Sequence, residues 1–306
     1  MAIKNWENHR GSIVDSVGGF NVIECEACGF KHIVPIPSSG ELNSVYRQQY
    51  YTKEKPLYIE RAIEDSDWWN LVYGERYDAF EELLPPQRRS ILDVGSGPGF
   101  FLLHGKQRGW RTLGMDPSAQ AAEYSRGSGL EIVEDFLNDK TAKDLGLFDV
   151  VHMSEVLEHI PDPAGMMRLA YDLLNPGGLV CIVVPNDYSP FQQALREGCN
   201  YKPWWVAPPH HINYFDFQSL GKLFARTHFE ILVREATFPI DLFLLMGDNY
   251  VGNDAMGRLC HGKRKALELN LAKSGLKNLR RDLYRKLADI GIGREVLMIG
   301  KKAESK

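Results

Sequence analysis

Strand-like and helix-like segments alternate from Arg89 onward, and this alternation constrains the fold more than any other feature of the chain. The strand-like segments are short and apolar, and they read "SILDVG", "RTLGMD", "EIVED", "FDVVHMS", "GLVCIVVP" and "FEILVREAT". The segments between them have helical periodicity: "GFFLLHGKQRG", "PSAQAAEYSRGSG", "PAGMMRLAYDLLNPGG" and "FQSLGKLFARTH". Such alternation predicts an α/β fold with a mostly parallel sheet and helices on both of its faces.

Composition shifts along the chain predict four regions. Residues 1–40 are turn-rich and strand-like, and they predict a small β-ribbon module. Residues 41–86 have helical spacing of apolar side chains, and Pro85 and Pro86 end this linker or lid. Residues 87–237 and 294–306 form the predicted α/β domain, which includes a last strand in "EVLMIGKKA". Residues 238–293 interrupt that domain as a helical cap insertion before the last strand.

Bulk properties exclude several classes of protein. The 306 residues carry a net charge of −4, which gives no general attraction to nucleic acid or to an anionic membrane. The longest apolar runs have the length of a strand, so no membrane span is predicted. The five cysteines are an odd number, and the N-terminal residues lack the apolar core of a signal peptide. We therefore expect a cytoplasmic protein without a disulfide framework.

The segment "ILDVGSGPGF" places Gly95, Gly97 and Gly99 directly after the first strand of the alternating region. In an open α/β sheet, ligands bind beyond the carboxyl ends of the strands. The dinucleotide fingerprint would require a third glycine where Phe100 stands, and a Walker loop would require a Gly-Lys-Ser/Thr ending. Both are missing, so the loop indicates a different adenosine cofactor.

Two acids follow the loop at the ends of the next strands. Asp116, in "LGMDPS", is placed where nucleotide-binding α/β folds put an acid that accepts hydrogen bonds from ribose hydroxyls. Asp135, beside Phe136 in "EIVEDF", offers a carboxylate and an aromatic face for an adenine ring. Together they favour a nucleoside-containing ligand.

Five segments resemble, in order and spacing, the successive motifs of class I S-adenosylmethionine-dependent methyltransferases. They are "ILDVGSGPG", "GMD", "VEDF", "FDVVHMSEVLEHIPDP" and "LLNPGGLV". The resemblance covers residues 89–236 and the last strand at 295–301. It implies a Rossmann-like, seven-stranded, mostly parallel sheet whose final strands form an antiparallel pair at one edge. It also implies S-adenosylmethionine as cofactor and S-adenosylhomocysteine as product.

The resemblance also implies cofactor-binding residues. Asp93 supports the glycine loop, and Gly95, Gly97 and Gly99 approach the methionine part of the cofactor. The remaining predicted contacts are Met115, Asp116 and Pro117 at the ribose, Asp135 and Phe136 at the adenine, and Met153 and Ser154 along the cofactor. For Met115, Phe136 and Met153, plain core packing is the alternative.

Methyl transfer to a hydroxyl needs an aligned acceptor and a group that takes its proton. "EVLEHIPDP" supplies Glu155, Glu158 and His159 after the fourth strand, and "APPHHINYFD" supplies His210 and His211. Similar methyltransferases that act on sugars often carry a "His-x-x-Tyr-Phe" pattern here, which His211, Tyr214 and Phe215 match. We expect His211 to be the general base, with His210 second and His159 third. The alternative is that the histidine pair caps a turn.

A metal site is predicted in the N-terminal module. "CEACGFKH" supplies Cys25, Cys28 and His32, and His9 precedes them in the chain. Some methyltransferases similar to this chain carry a small zinc-binding module before the catalytic domain, usually with four cysteines. The interpretation here is a structural Cys2His2 zinc site, and the alternative is a degenerate ribbon with metal-free thiols.

The expected acceptor is a small polar molecule, and a hydroxyl of a sugar or glycan precursor is favoured. The basic insertion offers Arg280 and Arg281 to an anionic acceptor such as a nucleotide sugar, or presents them on a solvated helix face. Alternative functions are methylation of a carbon or nitrogen atom, of a quinone-like metabolite or of tRNA. A binding protein that holds the cofactor without catalysis is a further alternative.

Overall fold

The computed structural model describes residues 8–44, 46–47 and 55–303. The strands are β1 Gly11–Val17, β2 Phe20–Cys25, β3 Lys31–Val34, β4 Ser90–Val94, β5 Arg111–Met115, β6 Ile132–Val133, β7 Phe148–Ser154, β8 Leu174–Pro185, β9 Asn213–Tyr214, β10 Phe229–Ala236 and β11 Glu295–Lys302. The helices are α1 Ser39–Ser44, α2 Tyr58–Glu64, α3 Ser66–Leu83, α4 Phe100–Gln107, α5 Ala119–Gly127, α6 Pro163–Asp172, α7 Pro190–Cys199, α8 Phe217–Arg226, α9 Asp241–Leu245, α10 Asp254–Lys273 and α11 Lys277–Asp289. The helical prediction for 45 and 48–54 lies outside the described residues.

The larger sheet has seven strands among the described residues, in the order β10-β11-β8-β7-β4-β5-β6. Neighbouring strands from β8 to β6 are parallel, and β11 alone runs antiparallel, between β8 and β10. This arrangement confirms the predicted Rossmann-like sheet with an antiparallel pair at one edge. The strand order reverses between β4 and β7, where such folds bind their ligands.

Helices on both faces bury nearly all residues of the central strands. All five residues of β4 are buried, as are the first six of β7 and nearly all of β8. Side chains that alternate along these strands feed two apolar clusters, one on each face of the sheet. Burial on both faces explains why the strands read as continuous apolar runs rather than as alternating patterns.

The smaller sheet has the order β1-β2-β3-β9. Its first three strands come from the N-terminal module, whereas β9 comes from the segment that carries the histidine pair. β9 pairs with β3 through Lys31 with Tyr214 and His32 with Asn213. The ribbon is therefore joined by backbone hydrogen bonds to the "APPHHINYFD" segment, which the sequence did not indicate.

The insertion between β10 and β11 is helical, as expected, and consists of α9, α10 and α11. Helix α11 packs along β10, and α10 packs against α3. The insertion thus forms one wall over the edge of the sheet. Among the described residues, every helix is too short or too polar to cross a membrane.

Candidate active site

A single cavity of about 1330 Å³ opens at the carboxyl ends of β4, β5 and β7 and extends beneath α3, α10 and α11. It collects most of the side chains predicted for cofactor and catalysis. Its lining includes Asp93, Gly95, Gly97, Met115, Asp116, Pro117, Asp135, Phe136, Ser154, His159, His210 and His211.

The glycine loop is held tightly against β5 and the next turn. The Gly95 amide donates to the Met115 carbonyl at 2.7 Å, and the Gly95 backbone has a φ of 72°. A side chain there would place its Cβ 2.6 Å from a methyl carbon of Val156, so only glycine fits without a shift. This turn exposes loop backbone to the cavity.

Asp116, directly after β5, holds the glycine loop by hydrogen bonds. Its carboxylate accepts hydrogen bonds from the Gly97 amide and the Ser118 amide, both at 2.9 Å. Burial raises the pKa of Asp116 to about 6, although the two amide hydrogen bonds oppose that shift. Lone pairs that remain on its oxygens can accept hydrogen bonds from ligand hydroxyls.

Gly99 and Met153 differ from their predicted roles. Gly99 is not part of the cavity lining, and a side chain there would overlap Leu130 and Ser125, so this glycine serves the packing of α4 against α5. Met153 is fully buried in the apolar core, whereas its neighbour Ser154 lines the cavity. Successive side chains of a strand point to opposite faces, which explains why the two do not act together.

Beneath the loop, Asp93 belongs to a buried polar relay. His152 donates from Nδ1 to Asp93 Oδ1 at 2.6 Å, and its Nε2 accepts from Arg76 at 3.4 Å. Burial lowers the pKa of His152, so the imidazole is neutral near pH 7. The relay ties β4 to β7 and to α3.

Asp135 and Phe136 lie at the cavity rim, where Arg47 covers them. The Arg47 guanidinium contacts Asp135 Oδ1 at 2.5 Å and lies 5.1 Å from the centre of the Phe136 ring. The sequence did not indicate this arginine. The Asp135 carboxylate and the Phe136 ring, which were predicted to contact adenine, thus lie side by side at the rim of the cavity.

At the other end of the cavity, three polar side chains from two segments converge. Glu158 and His159 end a 3-10 turn after β7, and His211 comes from the loop before β9. One oxygen of Glu158 and one nitrogen of each histidine all lie within 4.8 Å of one another. Glu155, whose backbone φ is 57°, also faces the cavity. We call Glu158, His159 and His211 the Glu-His-His cluster.

Both histidines of this cluster are neutral near pH 7. Burial lowers the pKa of His159 to about 4 and that of His211 to about 3, and nearby cationic groups add to the effect on His211. His159 donates from Nδ1 to the His210 carbonyl at 2.7 Å. Neutral imidazoles keep a lone pair for a proton or a metal ion.

Two charged residues beside the cluster were missed from the sequence. Arg294, just before β11, lines the cavity, and its Nη1 lies 4.0 Å from Oδ1 of the buried Asp187. Burial raises the pKa of Asp187 to about 7, which the arginine opposes. The only sequence signal for Asp187 was its position two residues after β8, at the carboxyl end of a central strand.

Basic residues of α11 form ion pairs with acids of α3 and α10. Arg280 is 2% exposed and forms ion pairs with Glu75 and Glu268. Arg281 pairs with Glu82 at 3.3 Å. Arg280 therefore does not lie on a solvated helix face. Arg280 and Arg281 both line the cavity, so their contact with an anionic acceptor stays a prediction.

The predicted zinc ligands come together in the N-terminal module. His9 Nδ1 lies 3.6 Å from Cys25 Sγ, 3.2 Å from Cys28 Sγ and 3.1 Å from His32 Nε2. His32 Nδ1 lies 2.9 Å from the Ile33 carbonyl, which favours the tautomer that leaves Nε2 available. This cluster of two thiols and two imidazoles has the donor set of a closed structural zinc site.

Comparison with known proteins supplies independent information. Residues 71–233 match a family model described as a methyltransferase domain. Over 98 residues the chain is 33% identical to a ubiquinone biosynthesis O-methyltransferase of Vibrio parahaemolyticus, which covers 30% of this chain and 42% of that protein. Over 104 residues it is 36% identical to the protein of the same name from Pseudomonas paraeruginosa, with coverages of 32% and 45%. The chain thus spans less than half the length of these relatives.

Among solved structures, an S-adenosylmethionine-dependent methyltransferase from Archaeoglobus fulgidus aligns with 78% of this chain and 98% of its own. The sequence identity is 18% and the TM-score is 0.49.

Proposed function

The chain belongs to the methyltransferase-domain family, whose enzymes are S-adenosylmethionine-dependent, and on that premise we propose that it methylates a hydroxyl oxygen of a small polar molecule. The observation that carries the proposal is the single cavity, which joins the glycine loop to a cluster of neutral histidines and acids. A methyl donor at one end of this cavity faces proton-accepting groups at the other.

The residues present fit S-adenosylmethionine. The Gly95 and Gly97 backbone offers a close approach to the methionine part, Asp116 has lone pairs for the ribose hydroxyls, and Asp135 with Phe136 suits the adenine. When bound, this cofactor supplies an electrophilic methyl group on a positively charged sulfur. The protein aligns the acceptor, excludes water and takes up a proton.

His211 is the favoured proton acceptor, with His210 and His159 as the second and third choices. His211 is neutral, and its Nδ1 accepts no hydrogen bond from any described residue. Its lowered pKa makes it a weak base, so it holds a proton only briefly before solvent removes it.

The favoured acceptor is a sugar or glycan precursor, because the cavity end near Asp187, Arg294 and the Glu-His-His cluster is rich in polar groups. A phenolic precursor of a quinone is the second candidate. It is supported by the names of the relatives and by Trp69 and Tyr73, whose rings stack 5.2 Å apart and line the cavity. Both candidates present hydroxyl groups.

We also propose that His9, Cys25, Cys28 and His32 bind a structural zinc ion. β3, which carries His32, pairs with β9 two residues after His211. The Ile33 amide also donates to the Ile212 carbonyl at 2.9 Å. Zinc at this position would stabilise the segment that holds the histidine pair.

The test combines cofactor binding with transfer of a labelled methyl group. Wild-type protein should bind S-adenosylhomocysteine but not NAD in calorimetry, and it should label members of a panel of nucleotide sugars, glycans and catechols. His211→Gln should lower turnover by about 10²-fold or more, as for loss of a general base, with cofactor affinity unchanged. His228→Gln, at an exposed position outside the cavity, is the matched control. Equal turnover in both variants would remove His211 from the mechanism.

A further inference from the structure

The end of the cavity beneath the helical insertion contains buried polar atoms that nothing in the described chain satisfies. We call this end the cap arm and define it by the lining residues Glu75 on α3, Arg264 and Glu268 on α10, and Arg280 and Tyr284 on α11. Glu75 Oε1, Arg264 Nε and Arg280 Nε are buried and form no hydrogen bond with a described residue. Such atoms are costly unless a ligand or water completes them, and together they offer two donors and one acceptor.

Glu268 holds the polar wall of the cap arm in place. Its carboxylate accepts hydrogen bonds from the Trp68 indole and from the Tyr284 hydroxyl. It also lies 3.5 Å from Arg280 Nη1 and 3.8 Å from Arg264 Nε. The Arg264 guanidinium lies over the Trp68 ring, 4.5 Å from its centre. Side chains that packing and hydrogen bonds already hold lose little conformational freedom when they bind a ligand, so this wall is prepared for binding.

The charges of the cap arm favour a neutral ligand over an anion. Arg264 and Arg280 both face the Glu268 carboxylate, and Arg280 also pairs with Glu75. An anion would therefore compete with carboxylates that are already in place. Burial raises the pKa of Glu75 to about 7, although Arg280 opposes that shift. Near neutral pH the Glu75 carboxyl group thus occurs both as an acceptor and as a donor, and a hydroxyl group, which also accepts and donates, matches it.

The sheet gives the cap arm an apolar side. Val233 on β10 and Leu297 and Ile299 on β11 line the same cavity, and Val233 lies directly opposite Ile299 in the register of the two strands. Glu235, two residues after Val233 and therefore on the same face, lies 3.5 Å from Arg285 of α11, so this face lies beneath the insertion. A polar wall beside an apolar one suits a sugar ring, whose hydroxyls lie at its edge and whose C–H groups form its faces.

We propose that the cap arm binds an uncharged sugar ring of the acceptor, next to the ring whose hydroxyl receives the methyl group. Hydroxyls of the bound ring accept hydrogen bonds from Arg264 and Arg280 and donate one to Glu75, and its C–H face packs on Val233 and Ile299. The cavity of about 1330 Å³ exceeds the roughly 300 to 1,000 Å³ of a site for one small ligand, so it has room for the cofactor and two sugar rings. This inference rests on the proposed function and narrows its acceptor to a saccharide of at least two rings.

The test compares transfer of a labelled methyl group to neutral disaccharides with transfer to single rings. The full-length protein is given maltose, cellobiose, lactose and mannobiose, and the methyl glycosides of glucose, galactose and mannose. We expect at least one disaccharide to be methylated with a KM at least about tenfold lower than that of its single ring. In Arg264→Met and in Glu75→Gln this KM ratio should fall towards one. Lys263→Met, on the same helix but 48% exposed and outside the cavity lining, should keep the wild-type ratio.

Three results would overturn the sugar site: no methylated disaccharide, a wild-type KM ratio near one, or the wild-type ratio in a folded Arg264→Met or Glu75→Gln variant. Since these two substitutions lie on different helices, failure of one variant to fold leaves the other as the test. Methylation of catechol or of glucose 1-phosphate but of no disaccharide overturns the sugar site and leaves methyl transfer to a hydroxyl intact. Failure of the wild type to bind S-adenosylhomocysteine in calorimetry contradicts the proposed function itself.

Discussion

Gly95→Ala tests whether the glycine loop is as tightly constrained as the cavity requires. Alanine at a φ of 72° costs about 1 to 2 kcal/mol in backbone energy. Its Cβ would lie 2.6 Å from a Val156 methyl carbon. Two carbons pack at about 3.5 to 4.0 Å, so about 1 Å of movement is forced, at a further cost of about 1 to 3 kcal/mol.

Gly109→Ala is the matched control. Gly109 has a φ of 85°, and a Cβ there would meet nothing within 4 Å. It should therefore lose only the backbone energy, about 1 to 2 kcal/mol. The difference between the two variants isolates the contact with Val156, and Val156→Ala in the Gly95→Ala background should recover part of it.

Urea unfolding measures the free energy of unfolding, and calorimetry measures the affinity for S-adenosylhomocysteine. We expect Gly95→Ala to be less stable than Gly109→Ala and to bind the cofactor product at least about tenfold more weakly, because displacement of the loop moves its backbone by about 1 Å. Equal stability of the two variants together with unchanged affinity in Gly95→Ala would refute the account of the loop.

Three further predictions follow from the site. Asp116 has its pKa raised to about 6, so its protonated form stabilises the fold fully below about pH 4, and that contribution is lost as the pH rises through 6. Asp116→Asn should remove up to about 3 kcal/mol of this pH dependence from the free energy of unfolding. Protonation of Asp116 should also weaken S-adenosylhomocysteine binding below pH 6, and the variant should lose this pH effect. A variant with the pH profile of the wild type would contradict the raised pKa of Asp116. Arg280→Met removes the paired cation from Glu75 and one of several partners from Glu268, and it should cost about 3 to 5 kcal/mol of unfolding free energy. Arg285→Met, at a side chain 42% exposed, should cost less than about 1 kcal/mol; similar losses in both would show that the buried pairs are unimportant. Cys28→Ser should abolish zinc binding, as measured by mass spectrometry, and should lower turnover more than cofactor affinity. Cys199→Ser, at an exposed cysteine, should change neither the zinc content nor the turnover. Zinc retained in Cys28→Ser would exclude the site.

The central sheet was predictable because its signal is local. Strands buried on both faces read as apolar runs, and the glycines after β4 and the acid after β5 stand at fixed positions relative to those runs. The number of strands and the antiparallel edge came with the family resemblance. These features need no knowledge of distant contacts.

Other features depend on contacts between distant parts of the chain, and sequence reasoning missed them. Glu158 and His211 are 53 positions apart, and only the folded loop before β9 shows that their polar atoms converge without partners. In the sequence, Arg280 looked like a surface charge because its partner Glu75 lies on α3, far earlier in the chain and before the α/β domain begins. Gly99 was assigned to the cofactor from the loop motif, although the packing of Leu130 explains it.

The most direct test of the central claim is a crystal structure of the protein with S-adenosylhomocysteine. The account predicts that the methionine part lies against Gly95 and Gly97, that the ribose hydroxyls contact Asp116, and that the sulfur faces the space in front of His211. A ligand bound elsewhere, or a sulfur atom directed away from the Glu-His-His cluster, would contradict it.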